Sequence, residues 1–150
     1  MAQTHGRNKA IKLWDGSSEH ALSPQPTEIA DFAMTRVSED NTPFGATVMS
    51  SYKSLQETPV FEFTGNYDST DTNGWAKLRA AVENKQELSG AAVFNSASAR
   101  IRFYEDTSLY HEMDASIDVT IVNSKTLPNR WIVRAECSDP ATFADWVVGS

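Results

Sequence analysis

Val60-Phe-Glu-Phe-Thr-Gly-Asn-Tyr67, running through Asp68-Ser-Thr-Asp-Thr-Asn-Gly74 into Trp75-Ala-Lys-Leu-Arg-Ala-Ala-Val-Glu83, decides the fold class. In the first part Phe61, Phe63 and Gly65 fall on one face and Glu62, Thr64 and Asn66 on the other, the period of two that marks a half-buried strand. The period then lengthens. Trp75, Leu78, Ala81 or Val82, and Lys85 follow helical spacing, with Asp71 or Thr72 placed to cap the first turn. This predicts one helix over about residues 73–86, directly after a strand.

Toward the N-terminus, Lys9-Ala-Ile-Lys-Leu-Trp14 reads as a first strand closed by an Asp15-Gly16 turn. Residues 15–28, with their prolines and serines, read as connection, and Ile29 to Val37 as a further strand. Residues 38–58 form a long inter-strand loop without clear periodicity. Loops of that length in a compact domain are generally disordered or used for binding. Phe44, Met49, Tyr52 and Leu55 argue for binding, because a solvated tail carries fewer large apolar groups. Toward the C-terminus, Ala99 to Tyr104, Met113 to Ile121 and Asn129 to Cys137 alternate as strands. The last places Trp131, Val133, Ala135 and Cys137 together. Residues 138–150 read as a C-terminal extension, one helical turn or an extended arm, in which Asp139 would cap and Pro140 would take the first helical position. Six or seven strands and one mid-chain helix, without strand–helix alternation, predict a mainly β fold. The form expected is an antiparallel sandwich, or barrel-like sheet, with the helix packed on its side.

Length and composition bound the rest. A chain of 150 residues, 40% hydrophobic and 22% charged, is one domain able to bury a single core. No apolar run exceeds about five residues, far short of a membrane span. The first residues lack the apolar stretch of a secretory signal, and Cys137 as sole cysteine excludes a disulfide framework. A cytoplasm-like compartment is expected. Thirteen Lys and Arg against twenty Asp and Glu give a net charge of −7, which on average repels nucleic acid.

Catalytic and metal chemistry find little support. His5, His20 and His111 have no partner at metal-ligand spacing, and no histidine follows His111-Glu112 four residues on. Asp68, Asp71 and Asn73 lack the spacing of a calcium loop and read better as turn and cap residues. No Gly-x-Ser-x-Gly elbow is present, and Cys137 falls on an apolar strand face. Glu57 with Glu62, or Asp114 with Asp118, could pair as carboxylates, but a solvated face is the simpler reading. Trp75 and Trp131 fall on faces expected to be buried, so core packing outweighs a sugar platform that would also draw on Trp14 and Trp146. No enzyme and no cofactor are expected.

The order of these segments resembles the major tail tube proteins of long-tailed bacteriophages with non-contractile tails. Thr4-His-Gly-Arg-Asn8 before a short strand is similar to the family's opening arm. Thr42-Pro-Phe-Gly-Ala-Thr47 with Tyr52 and Leu55 is similar to its long loop, with Ala46 where an aspartate is frequent. Phe61 to Asp68 leading through Asp71-Thr-Asn-Gly74 into a helix is the most specific piece, and Ile101-Arg-Phe-Tyr104 and the strand around Ile117 follow in the family's order. The resemblance covers about residues 4–137.

The resemblance implies a β-sandwich subunit that forms hexameric rings stacked into a hollow tube, with four inner strands per copy facing the lumen. It implies no cofactor and a place in the virion tail after assembly in the host cytoplasm. The partners implied are further copies, a tape-measure protein, baseplate or tail-tip proteins and a terminator, with DNA passing the lumen unbound. Under this reading Thr4, His5, Arg7, Thr42, Phe44, Met49, Tyr52 and Leu55 contact neighbouring subunits. Asp31, Glu62, Asp114 and Asp118, on outward strand faces, supply lumen carboxylates. The competing readings are a monomeric β-sandwich binding carbohydrate or protein, with Trp75 or Trp146 exposed, and a related component such as a terminator or secretion-system tube protein.

Overall fold

A computed structural model describes residues 9–30, 36–40, 42–45, 48, 51–56, 58–139 and 142–148, with the backbone alone at 36–40, 51–56 and 145–148. The strands are β1 (Ala10–Trp14), β2 (Glu19–Ala21), β3 (Glu28–Ile29), β4 (Arg36–Asp40), β5 (Ser51–Gln56) and β6 (Val60–Asn66). Helix α1 (Trp75–Glu83) precedes β7 (Arg100–Tyr104), β8 (Leu109–Met113), β9 (Ala115–Val122), β10 (Arg130–Cys137) and β11 (Ala144–Val148). They form a five-stranded sheet in the order β11-β8-β7-β1-β2, a four-stranded sheet β3-β6-β10-β9 and a two-stranded sheet β4-β5. All described pairings are antiparallel.

The five- and four-stranded sheets close on each other through the inward residues that alternation marks. Ile11 and Leu13 of β1 and Ile101 and Phe103 of β7 meet Phe61 and Phe63 of β6 and Val133 and Ala135 of β10, all buried. Phe61 stacks on Phe103 with ring centroids 3.8 Å apart, which fixes the two sheets face to face. This is the mainly β sandwich expected.

Helix α1 packs against β9 and buries Trp75, Leu78 and Ala81. It is shorter than the expected 73–86, because Lys85 adopts a left-handed φ of 53° and breaks the helical path. Asp71 Oδ2 accepts hydrogen bonds from Trp75 N (3.1 Å) and Ser23 N (2.9 Å), tying the helix start to the segment after β2. Trp75 Nε1 donates to Pro24 O at 2.8 Å, so this tryptophan is a core anchor. A glycine is required beneath it: a Cβ at Gly65 would lie 2.7 Å from Trp75 Cη2.

Several segments depart from the sequence expectation. The span 15–28 contains β2 and the first residue of β3. The expected strand 29–37 begins in β3 of the four-stranded sheet, and Arg36 and Val37 belong to β4 of the separate two-stranded sheet. Much of the 38–58 loop is the hairpin β4-β5, with a register irregularity between Arg36 and Ser38. Its strands (Arg36-Val-Ser-Glu-Asp40, Ser51-Tyr-Lys-Ser-Leu-Gln56) are largely polar and carry little of the alternation that a core-facing sheet imprints on its sequence. Strand β8 was not expected, since its burial does not alternate. The C-terminal extension contains β11, which pairs with β8.

Candidate functional site

The described residues offer no catalytic relay. Ser18 Oγ and Asp15 Oδ2 both approach the same His20 nitrogen, Nε2, at 3.3 and 2.8 Å, whereas a relay needs one partner on each ring nitrogen. Asp15 is instead the centre of a turn. Its carboxyl is held far below the usual range by the backbone N–H of Ser18, then the His20 ring, then the Ser17 N–H. Burial pushes the Cys137 thiol up, away from a nucleophilic thiolate. Asp68 caps its own turn, accepting from Thr70 N and Thr70 Oγ1. Among the described residues no three His, Cys, Asp or Glu side chains are grouped to hold a metal.

The outward face of the four-stranded sheet is the larger feature. Antiparallel register sets Glu62 of β6, Arg134 of β10 and Asp118 of β9 side by side in one cross-strand row. Glu62 and Asp118 are exposed, and Arg134 Nη1 bonds to Glu136 Oε2 at 3.0 Å on the same face. The next row is Thr64, Ile132 and Thr120, with Glu28 of β3 opposite Thr64. Glu28, Glu62, Asp118 and Glu136 thus face Arg130 and Arg134, leaving an acidic surplus on a surface that also carries Thr64, Asn66, Ser116 and Thr120 and the apolar Val60, Val122 and Ile132.

Asp114 does not join this face. It sits between β8 and β9, only 7% exposed. Its carboxylate accepts from Ser89 Oγ (2.6 Å), Ser89 N (3.2 Å) and Ala115 N (3.0 Å). The expectation of an outward Asp114 followed from reading Met113 to Ile121 as one uninterrupted strand. The chain leaves the five-stranded sheet after Met113 and enters the four-stranded one at Ala115, so the residue between them turns inward to hold the crossover.

The outer face of the five-stranded sheet is a closed polar layer. Arg102 donates to Glu19 Oε2 (2.8 Å) and Glu112 Oε2 (3.0 Å), with its guanidinium 4.4 Å from the Trp14 ring and 4.6 Å from Tyr110. Tyr104 Oη donates to Glu19 at 2.6 Å, and Lys12 Nζ lies 4.4 Å over the Tyr104 ring. Burial pushes Glu19 up, but the Tyr104 and Arg102 hydrogen bonds and the Lys12 charge outweigh it and leave its carboxyl below the ordinary range. These groups satisfy one another, so the layer serves stability.

Two apolar features are open to solvent. At the hairpin tip Phe44 is fully exposed, followed by Gly45 at a φ of 86°. Where α1 meets the ends of β9 and β10, at the margin of the core, lies a groove of about 600 Å³ lined by Val82, Val119, Ile121 and the stacked pair Tyr67–Trp131, whose rings are 4.2 Å apart.

Of the expected contact residues, Thr42 is half-buried beside the tip and Tyr52 and Leu55 lie in β5. Thr4, His5, Arg7, Met49 and Asp31 fall outside the described residues. Arg134 was missed by sequence reasoning, although β10 alternation alone puts it outward with Arg130 and Ile132. Alternation marks Val119, Ile121 and Trp131 as inward, but that a groove stays open beside them, with Ile121 50% exposed, depends on how α1 and the strand ends pack.

No family model and no curated protein matches the sequence. Twelve chains of solved structures match the fold. One belongs to the tail of an empty GTA (gene transfer agent) particle with C6 symmetry. It is 11% identical, superposes with a TM-score of 0.65, and the match covers 97% of this chain and 100% of that one.

Proposed function

We propose that this chain is a structural subunit of a phage-like tail, and more specifically its tail tube. Six copies close a ring, rings stack into a hollow tube, and the outward face of the β3-β6-β10-β9 sheet lines the lumen through which DNA passes. The observation that carries this reading is the end-to-end likeness to a chain of a C6-symmetric tail. The acidic surplus around Glu62 and Asp118 fits a conduit that works by not binding its cargo, since like charge keeps a polyanion from sticking. Joining sheets between copies would also cover the outer edge of β9, which among the described residues is met only at its start, by Glu87 and Leu88. Tape-measure, tail-tip and terminator proteins, and assembly in the host cytoplasm before incorporation in the virion, belong to the same proposal. The monomeric carbohydrate-binding alternative loses its Trp75 platform, because that ring is fully buried.

Deleting residues 39–54 tests the reading. The β4-β5 pair is a separate sheet, so the sandwich keeps its core. Sedimentation velocity is expected to show a folded monomer for the deletion and large assemblies for the intact chain. Equal assembly by both would overturn the role given to this segment, and a monomeric intact chain would count against the tube itself.

A further inference from the structure

Two exposed apolar features of opposite shape occur on one molecule. Phe44 and Val48 are the most exposed large hydrophobics among the described residues, and Phe44 projects from a hairpin tip. The groove beside α1 is concave, floored by the Tyr67–Trp131 stack and edged by Val82 and Ile121, themselves 37% and 50% exposed. Monomeric proteins rarely leave a knob and an apolar hollow both uncovered.

Charge selects the occupant. A chain of net charge −7 repels its own copies on average, and a close contact between copies is least opposed where both surfaces carry no net charge. Residues 41–50 contain no Asp, Glu, Lys or Arg. The groove's single cation and single anion, Arg79 and Glu83, are bonded to each other at 2.6 Å, so the hollow is neutral as well. Both are uncharged patches on an acidic body, and a basic or acidic ligand would find no complementary charge in the groove.

We propose that the groove between α1 and the β9 and β10 ends receives the β4-β5 hairpin tip of a second copy, with Phe44 as the inserted anchor. The contact joins two different patches, so each copy keeps one tip and one groove free for the next. Such a head-to-tail contact propagates without limit or closes a ring, according to the rotation between copies. The inference rests on the self-assembly reading above and adds the receiving site to it.

Crosslinking tests it with the intact chain. Phe44→Cys and Ile121→Cys alter exposed side chains, and buried Cys137 can stay in place. A short bismaleimide crosslinker is expected to give a ladder of oligomers from the double variant and no ladder from either single one. Phe44→Asp and Ile121→Glu are each expected to raise the concentration needed for assembly about tenfold or more, as loss of a central aromatic anchor does, with unchanged circular dichroism. An assembling chain that gives no ladder, and assembles equally as Phe44→Asp, overturns this inference and leaves the tube reading intact. A ladder without rings or tubes supports the contact and contradicts the tube. A chain that neither crosslinks nor assembles overturns both.

Discussion

Asp114→Ala should be among the more destabilising single changes to a polar residue of this protein, whereas Asp118→Ala, four residues along, should be nearly silent. Asp114 is 7% exposed and accepts three hydrogen bonds, from Ser89 Oγ, Ser89 N and Ala115 N. A hydrogen bond to a charged group contributes about 1.5–3 kcal/mol. Three that share one carboxylate are not additive, and two backbone N–H groups lose their acceptor, so the net loss is about 3–5 kcal/mol. For a domain near 150 residues that lowers Tm by roughly 10 °C, at about 2–4 °C per kcal/mol. Asp118 is exposed, and its loss should cost within about 0.5 kcal/mol. Asp114→Asn should fall between, since the amide keeps one acceptor oxygen and its NH₂ can donate to Ser89 Oγ. Thermal melts followed by circular dichroism at pH 7 make the comparison. Equal Tm values for the 114 and 118 alanine variants would refute the clamp and return Asp114 to the outward face.

Reversing the outward carboxylates with Glu62→Lys and Asp118→Lys would change a six-copy ring from roughly −42 to roughly −18 and turn the Glu62–Arg134–Asp118 row wholly basic. Assemblies of this variant should co-sediment DNA at low salt and release it as salt rises, while wild-type assemblies bind none; absence of DNA from both would disprove a charge-tuned lumen. Gly65→Ala should cost about 1–3 kcal/mol in denaturant unfolding, because the new Cβ meets the Trp75 ring at 2.7 Å; unchanged stability would show that the helix start can shift. Asp15 has a depressed folded-state pKa, so its carboxylate adds stability above its unfolded pKa of about 3.9, and that contribution is lost as pH falls through the folded value. Asp15→Asn keeps the turn acceptor and removes the charge. Its Tm should lie below wild type at pH 7, and the gap should narrow below about pH 4; a gap independent of pH would contradict the assignment.

The core was legible wherever one face of an element is buried. Alternation in Phe61 to Asn66 and in Trp131 to Cys137, and helical spacing from Trp75 to Ala81, marked the inward residues that the structure buries. Where no buried face imprints a period, the pattern fell silent. Strands β2, β3, β4 and β5 are short or polar, and β8 buries adjacent residues Tyr110 and His111 on opposite faces, one beneath the polar layer and one in the core. The carboxylates show the same division. Parity along one strand sufficed to turn Glu62 and Asp118 outward. That they flank Arg134 in a single row depends on register between strands, which no single segment encodes. Asp114 failed because parity presumes an unbroken strand, and the chain changes sheets there. The hydrophobic content of residues 42–55 drew attention to Phe44, which the structure leaves exposed, whereas the groove beside α1 is built from residues of α1, β9 and β10 and from Tyr67 after β6, which no single segment brings together.

Negative-stain electron microscopy of the purified chain at rising concentration, beside its sedimentation profile, tests the central claim most directly. Hollow tubes or six-fold rings are predicted, with a sedimenting fraction that grows with concentration. A particle that stays monomeric at every concentration, with no ring in any class average, would contradict the tail tube account.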